Sequence, residues 1–224
     1  MRAVPTQSED SQSEHTESLN TALAVLDDPV RNKDTAFTLQ ERKELGLLGL
    51  LPHAVESLAR QMQRVIDQLA EKPSALQSYV YLTGLADRNE TLFYRVLMSD
   101  PKRFLPIVYT PIVGEACRRF GHLIRRPRGM YVSLDMRGSV AKVLRNWRTR
   151  DVRFVCVSTG GRILGLGDLR ANGMGIPIGK LQLYTACAAV PPECLLPVLL
   201  DIGTSNAALR ADPLYLGLRQ EPPP

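Results

Sequence analysis

The sequence predicts an α/β fold in which a helical N-terminal subdomain precedes a small α/β subdomain with a mainly parallel sheet. In the first half of the chain, apolar residues recur at helical spacing, whereas short β-rich runs alternate with helical stretches after Gly129. The chain has 224 residues, of which 44% are hydrophobic. This length and composition suffice to bury a core and exclude a wholly disordered protein.

The chain is expected to divide into four segments. Residues 1–31 form a loose acidic tail, 32–127 the helical subdomain, 128–220 the α/β subdomain and 221–224 a proline-rich end. Residues 1–34 carry three basic and seven acidic side chains, unlike an organelle transit peptide. The four cysteines form no C-x-x-C pair, so neither a zinc site nor a disulfide framework is indicated. A reducing, cytoplasmic location is therefore expected, with a mitochondrial one left open.

Two helices are expected between Pro52 and the middle of the helical subdomain. From Pro52 onward, apolar residues at three- and four-residue steps form a single stripe. A second helix is expected after Pro73, with Ser74 as its N-cap. The members of the first stripe are Val55, Leu58, Ala59, Met62, Val65, Ile66 and Leu69.

Two further helix starts are indicated by capping patterns. Asp87-Arg-Asn-Glu90 resembles a capping box and precedes an apolar run. Thr110-Pro111 is typical of an N-cap followed by proline at the first helical position. The second pattern predicts a helix through Cys117 and Phe120, which places Tyr109 immediately before it.

The second half alternates strand and helix signals. Short β-rich runs predict strands, and a Thr159-Gly-Gly161 turn separates two of them. The predicted strands are Met130 to Leu134, Phe154 to Ser158, Arg162 to Leu166 and Val198 to Ile202. Helices are expected over Val140 to Trp147 and after Pro177. This alternation favours a parallel sheet.

Residues 160–180 are the densest chemical signal, because seven of these 21 positions are glycine. A Walker A loop is excluded because Met174 stands where glycine is required, and Leu181 stands where Ser or Thr should follow the lysine. The dinucleotide fingerprint is also excluded, because Arg170 occupies the third glycine position. The segment therefore predicts a backbone that bends repeatedly.

Lys180 is the candidate base in this segment. Pro177 predicts a helix start with Lys180 in its first turn, where the helix dipole lowers the pKa of an amine if the site is also dry. A neutral amine can act as a general base. The alternative is a solvated lysine on an exposed first turn.

The middle of the chain is strongly basic. Residues 118–150 contain ten basic side chains and Asp135 as the sole acid. Such a stretch has three alternative interpretations: a solvated basic face, a subunit contact or a polyanion-binding surface. A solvated face or a subunit contact is preferred, and no nucleic-acid partner is expected, because no nucleic-acid motif accompanies the charges. No apolar run approaches the roughly 18 residues that cross a bilayer, so no membrane partner is expected either.

The chain resembles the N-terminal half of malic enzymes from about Asn32 to about Gln220, in collinear order. Arg170 is a departure, since the family commonly has glycine there. The motifs that carry the resemblance are Tyr109-Thr-Pro-Ile-Val-Gly-Glu-Ala-Cys117, Arg126-Pro-Arg-Gly129, Arg162-Ile-Leu-Gly-Leu-Gly-Asp-Leu169, Gly173-Met-Gly-Ile-Pro-Ile-Gly-Lys180, Tyr184-Thr-Ala-Cys187 and Asp212-Pro-Leu-Tyr-Leu-Gly-Leu218.

The resemblance implies oxidative decarboxylation of L-malate to pyruvate and CO₂, with NAD or NADP and Mg²⁺ or Mn²⁺. By the same resemblance, Lys180 removes the proton from the C2 hydroxyl of malate and Tyr109 protonates the enolpyruvate. Arg162 holds the malate carboxylate, for which a planar guanidinium is suited. Without the resemblance, Tyr109 would be interpreted as a half-buried aromatic and Arg162 as a strand-edge charge.

Some members of the family are activated by fumarate at a subunit contact. Arg64, Arg88 and Glu56 fall where those members carry the site, so a dicarboxylate site is implied. The alternative is that these arginines are ion-pair partners at a dimer interface.

The resemblance also implies that the metal ligands and the dinucleotide-binding domain follow the matched region, so no metal site is expected in these 224 residues. The preferred hypothesis is a substrate-side part of a malic enzyme that does not turn over malate alone. The alternative is a non-catalytic short form that assembles with full-length malic enzyme subunits through its helical N-terminal part. The expected partners besides L-malate are such subunits or further copies of the same chain in a homo-oligomer.

Overall fold

A computed structural model of the chain describes residues 21–124 and 126–223. Contacts divide these residues into two compact units. The first contains the described residues up to Glu71 together with Gly84–Val96, and the second contains Lys72–Thr83 together with the described residues from Leu97 onward. No helix in the described ranges combines the length and apolar character needed to cross a membrane.

The described residues include eleven α-helices. The first, α1, covers residues 21–27 and ends at Asp27. The others are α2 (Leu39–Glu44), α3 (Leu58–Ala70), α4 (Ala75–Arg88), α5 (Glu90–Ser99), α6 (Pro101–Val108), α7 (Ile112–Arg118), α8 (Phe120–Leu123), α9 (Val140–Leu144), α10 (Gly175–Ala188) and α11 (Ala207–Ala211).

Three parallel strands form the sheet of the second unit, in the order β1 (Met130–Ser133), β3 (Leu195–Asp201), β2 (Phe154–Ser158). Met130 pairs with Val198 on one side of β3, and Phe154 pairs with Leu195 on the other. β3 is buried along nearly its whole length, as expected for a central strand. The predicted α/β class with a parallel sheet is therefore confirmed.

The expected loose tail over residues 1–31 is wrong for the described residues 21–27, which form α1. Ala22 and Val25 project from this helix into a buried cluster with Phe37 and Leu47. The helix is amphipathic, and its apolar face is buried by residues that follow it in the chain. The rest of the tail before residue 21 lies outside the described residues.

The helix expected from Pro52 begins only at Leu58, with the Ser57 hydroxyl accepting from the Arg60 amide at 3.2 Å. The carbonyls of Pro52 and Ala54 instead accept hydrogen bonds from the guanidinium of buried Arg42. Since these carbonyls are occupied, the segment before Ser57 is not part of the helix.

The other predicted helix starts are correct within a few residues. Ser74 caps α4 as predicted, because its hydroxyl accepts from the Gln77 amide at 3.2 Å. The cap of α5 is Asn89 rather than Asp87, because the Asn89 side chain accepts from the Leu92 amide. The helix predicted from Pro111 is divided into α7 and α8, so Phe120 begins a separate short helix.

In the second half, the strand prediction for Phe154 to Ser158 is confirmed. The strand predicted for Arg162 to Leu166 is wrong, because a single bridge between Ile163 and Gly167 closes a turn there. Gly165 and Gly167 adopt φ values of +72° and +78°, which break an extended strand. The remaining differences concern bounds: α9 ends at Leu144 instead of Trp147, and β3 covers Leu195–Asp201 rather than Val198 to Ile202.

The compact units do not follow the predicted division between residues 127 and 128. The helices α6 and α7 pack against α10 and therefore belong with the sheet. The change from all-helical to α/β structure nevertheless occurs at Met130, where β1 begins. Whether each predicted subdomain folds independently stays a prediction.

Candidate active site

Tyr109 lies at the junction between α6 and α7, in the second unit. Its amide donates to the Leu105 carbonyl at 2.9 Å, and its carbonyl accepts from the Val113 amide at 2.8 Å. The side chain is half-buried and packs with Val113 and Ile176 in an apolar cluster. These contacts fix the phenol at the end of one helix and the start of the next.

The ring of Tyr109 packs directly on α10 at Gly179. A Cβ placed at Gly179 would lie 2.8 Å from Cδ2 of Tyr109 and 2.8 Å from the Val108 carbonyl oxygen. Only a glycine permits so close an approach between these elements. Because Lys180 follows Gly179, this contact places the phenol beside the backbone of the candidate base.

Arg162 is carried by a closed loop that follows β2. The Gly160 carbonyl accepts from the amides of Leu169 and Arg170, each at 2.9 Å, which closes the base of the loop. Within it, the Ile163 carbonyl accepts from the Gly167 amide at 2.9 Å. The side chain of Arg162 is exposed. The loop is thus held by backbone hydrogen bonds, while the guanidinium remains accessible to solutes.

Tyr109 and Arg162 line the same cleft, which has a volume of about 640 Å³. Ser158, Leu164 and Ile176 also contribute to its wall. Leu164 is 95% exposed at the tip of the Ile163–Gly167 turn. A guanidinium and a phenol on a largely apolar wall that also includes Thr110 and Ser158 suit a small organic anion that carries a hydroxyl or carbonyl oxygen.

Lys180 is not among the residues that line this cleft. It is the sixth residue of α10, because the helix begins at Gly175 rather than at Pro177. The predicted position in the first turn is therefore wrong, and the helix dipole acts mainly within that turn. The side chain is also exposed rather than dry. Burial raises the pKa of the Cys156 thiol on β2, and the positive charge of Lys180 opposes that rise.

Arg170 forms an ion pair that the sequence analysis missed. Its Nε lies 3.0 Å from Oδ1 of Asp168, and the two side chains are only 11% and 17% exposed. The other carboxylate oxygen of Asp168 accepts from the Thr204 hydroxyl at 2.9 Å. Arg170 has a φ of +43°, the left-handed region in which glycine is favoured. The charge pattern Asp168-x-Arg170 was the available signal, since the two residues lie two positions apart.

The candidate dicarboxylate site lies in the first unit. Arg64 forms an ion pair with Glu56, and Nε of Arg88 lies 3.4 Å from Oδ2 of Asp34. The Thr35 hydroxyl donates to Glu56 at 2.6 Å. That hydrogen bond and the Arg64 guanidinium lower the pKa of Glu56. Arg64 is thus connected through Glu56 to Thr35, and Arg88 pairs with the neighbouring Asp34. Each arginine therefore already has a carboxylate partner.

The described residues do not fit a divalent metal ion. No group of three His, Cys, Asp or Glu side chains within residues 21–124 and 126–223 is close enough to hold one. Asp201 accepts from the amides of Gly203 and Leu218, and Asp168 is engaged by Arg170 and Thr204. Asp201 therefore supports the local backbone, and Asp168 is engaged by neighbouring side chains.

Comparison with known proteins finds similarity to malic enzymes. The family described as malic enzyme, N-terminal domain, matches residues 86–222. NADP-dependent malic enzymes from Sus scrofa and Homo sapiens are 54% and 51% identical over 192 residues, which is 86% of this chain and 34% of theirs. The mitochondrial NAD-dependent malic enzyme of Ascaris suum is 51% identical over 200 residues, 88% of this chain and 31% of its own.

The chain thus spans about a third of the length of these relatives. The matched family region includes Tyr109, Arg162 and Lys180, and it covers more than half of the chain. The matches to these relatives cover 86% and 88% of the chain at 54% and 51% identity. The chain belongs to the malic enzyme family.

Proposed function

We propose that this chain is the substrate-side part of a malic enzyme that oxidises and decarboxylates L-malate to pyruvate and CO₂. The observation that carries the proposal is the cleft shared by Tyr109 and Arg162, in a chain about 50% identical to malic enzymes. The packing of Tyr109 on Gly179 supports a role for the adjacent Lys180.

Each residue has a distinct role in this proposal. Arg162 binds a carboxylate of malate through its planar guanidinium. Lys180 accepts the proton of the C2 hydroxyl, and Tyr109 donates a proton to the enol carbon after CO₂ leaves. The exposed side chains of Lys180 and Arg162 would need to be covered when substrate binds, since proton transfer and ion pairing are more effective without bulk water.

The nucleotide and the metal belong to the remainder of the enzyme in this proposal. When bound there, NAD or NADP would supply the hydride acceptor, and Mg²⁺ or Mn²⁺ would supply a Lewis acid. The printed names of the relatives include both NAD-dependent and NADP-dependent enzymes, so either nucleotide is compatible. We expect the 224 residues alone not to turn over malate. A cytoplasmic location also stays a prediction.

The Arg162→Gln variant tests the substrate assignment. The matched residues of the Sus scrofa enzyme are replaced by those of this chain, and malate-dependent NADPH formation is measured. Loss of the guanidinium should raise KM for malate by about tenfold to a hundredfold, because a charge-assisted bidentate contact is lost. Arg150→Gln, an exposed arginine outside the cleft, is the matched control. An unchanged KM in a folded Arg162 variant would remove Arg162 from the site.

The alternative function is an assembly module that binds malic enzyme subunits, and β2 favours it. Among the described residues β2 pairs with β3 alone, so it is an edge strand, and its side chains Val155 and Val157 are 53% and 54% exposed. The unpaired backbone groups of an edge strand can pair with another chain, and exposed aliphatic side chains add apolar contact. Co-purification of the chain with a full-length malic enzyme would test this function. The double variant Val155→Lys with Val157→Lys should abolish co-purification, whereas the control Leu216→Lys should not.

We further propose that Arg64, Arg88 and Glu56 form a dicarboxylate site for an effector such as fumarate. The support is that both arginines are tied to the same turn, through Glu56 and Asp34. A dicarboxylate would have to displace these carboxylates from the guanidinium groups.

A further inference from the structure

Arg162 owes its position in the cleft to the backbone that carries it. Its guanidinium is exposed and forms no ion pair with a carboxylate within residues 21–124 and 126–223. A long side chain without a partner samples many rotamers, so its average position follows its backbone. The backbone of residues 160–169, which we name the Arg162 loop, therefore determines where this guanidinium can meet a carboxylate.

Arg170 lies against the first residues of the Arg162 loop. A Cβ added at Gly161 would be 2.7 Å from Cζ of Arg170 and 2.8 Å from its Nη1. A Cβ added at Gly160 would be 2.2 Å from the Arg170 carbonyl oxygen. The Gly160 carbonyl also accepts from the amides of Leu169 and Arg170. These contacts hold the two residues that precede Arg162.

Asp168 fixes the guanidinium of Arg170 in this place. Nε of Arg170 lies 3.0 Å from Oδ1 of Asp168, and the two side chains are only 11% and 17% exposed. The Thr204 hydroxyl donates to Oδ2 of Asp168 at 2.9 Å, and the Asn206 side-chain amide donates to the Asp168 carbonyl at 3.0 Å. Thr204 is fully buried, and Asn206 is the N-cap of α11. The ion pair thus connects the Arg162 loop to the segment that follows β3.

The burial of this ion pair makes the loop sensitive to the loss of either partner. Exposed ion pairs contribute little, because water screens both charges. A mostly buried charge that loses its partner is left without compensation and away from water. Without the Arg170 guanidinium, the Asp168 carboxylate would turn towards solvent, and the backbone at Gly161 would lose the group that packs on it.

We propose that Arg170 is a positioning residue that, paired with Asp168, holds the Arg162 loop in the arrangement that binds malate. The inference rests on the proposed function, which assigns Arg162 to a malate carboxylate. Arg170 is not among the described residues that line the cleft, so it acts through Arg162 rather than on the substrate. A loop that is in its binding arrangement for only part of the time binds more weakly by that fraction. Bound malate has already selected the arrangement, so the effect falls on KM and not on kcat.

The first test is hydrogen exchange of backbone amides in the 224-residue chain, which requires no catalytic activity. The Leu169 amide donates to the Gly160 carbonyl, and the Ile163 amide donates to the Gly167 carbonyl. In Arg170→Gln both amides should exchange at least about tenfold faster, while the amides of the central strand β3 keep their rates. Unchanged exchange in the Arg162 loop, or an equal loss of protection in β3, would overturn the proposal.

The second test is malate kinetics in the Sus scrofa enzyme that carries the matched residues of this chain. Arg170→Gln should raise KM for malate about threefold to tenfold and leave kcat within about twofold. Asp168→Asn should give the same split, and the double variant should be no worse than either single variant, because both changes remove one ion pair. Arg153→Gln is the matched control, since it breaks an exposed pair with Asp151 at the same spacing, and it should change neither constant.

The outcomes separate this inference from the proposed function. A folded hybrid without malate oxidation would contradict the proposed function, and the exchange rates would still support or overturn the ordering of the Arg162 loop by Arg170. In an active hybrid, an unchanged KM for Arg170→Gln, a fall in kcat as large as the rise in KM, or additive losses in the double variant would overturn the inference. A raised KM at constant kcat, with faster exchange confined to the Arg162 loop, would support it.

Discussion

Arg170 occupies a position where the side chain and the backbone have opposite preferences. A φ of +43° favours glycine, which malic enzymes commonly have there by the resemblance described above, yet this chain carries a long charged side chain. Its guanidinium lies over Gly161, where an added Cβ would be 2.7 Å from Cζ of Arg170. The long side chain is nevertheless accommodated, because its Nε lies 3.0 Å from Oδ1 of Asp168.

The Glu56 carboxyl group gives a second prediction for a single residue, which concerns the pH dependence of stability. Its pKa is lowered from 4.5 by the Thr35 hydroxyl and by Arg64, so the folded state binds this proton less readily than the unfolded state. Its stabilising contribution is therefore complete above about pH 4.5 and is lost as the pH falls through the lower folded value.

Glu56→Gln should lower the free energy of unfolding by about 1 kcal/mol at neutral pH, because a charge-assisted hydrogen bond becomes a neutral one. Urea unfolding between neutral and acidic pH measures the effect, and the difference from the unmodified chain should shrink below about pH 4.5. Glu71→Gln, exposed at the end of α3, is the control. A difference that stays constant with pH would contradict the assigned hydrogen bonds.

At the scale of elements, the approach of α6 to α10 determines the position of Tyr109. Gly179 has no side chain, so the Tyr109 ring and the Val108 carbonyl pack against the helix backbone. Gly114 of α7 also has a close neighbour, Cδ2 of Leu166 at 3.2 Å from an added Cβ. A side chain added at Gly179 would displace a ring and backbone, whereas one added at Gly114 would displace only the end of a leucine side chain.

Gly179→Ala should destabilise the chain by about 1–3 kcal/mol, because the added methyl group meets backbone and a ring at 2.8 Å. Gly114→Ala should cost less, since the end of a leucine side chain can shift. Thermal unfolding of both variants measures the order. A Gly179→Ala variant as stable as Gly114→Ala would contradict the described packing of Tyr109.

Elements with local signals were predictable from the sequence. β2 has a compact β-rich run, and the Ser74 cap of α4 follows a proline, so both were predicted correctly. The late start of α3 depends on hydrogen bonds from Arg42 to carbonyls ten and twelve residues away, which no local pattern reveals. The Ile163–Gly167 turn, which follows Arg162, depends on positive φ angles at Gly165 and Gly167. Glycine permits such angles but does not require them.

The resemblance proposed the residues of the candidate site, whereas their geometry was not predictable from the sequence. The resemblance indicated Tyr109, Arg162 and Lys180, and the first two line one cleft. The position of Lys180 within α10 was wrong, because the helix begins two residues before Pro177. Proline is compatible with any position in a first turn, so it does not define the first helical residue.

At the scale of the whole molecule, the chain combines a malic enzyme N-terminal region with an open edge on its sheet. The relatives are about three times longer than the part matched here. The exposed face of β2 and the accessible side chains of Arg162 and Lys180 are the surfaces on which a further part of an enzyme would act. Catalysis by this chain therefore depends, in our proposal, on residues supplied by the rest of a malic enzyme.

The most direct test of the central claim is the rate of malate oxidation by the Sus scrofa enzyme carrying this chain's matched residues, compared with its Lys180→Ala variant. We predict malate-dependent NADPH formation by the first protein and a loss of about 10²–10⁴-fold in kcat for the second, as expected when a general base is removed. Lys142→Ala, an exposed lysine on α9 with no role in the proposed chemistry, should keep its rate. A folded hybrid without activity, or an unchanged rate for Lys180→Ala, would contradict the proposed function.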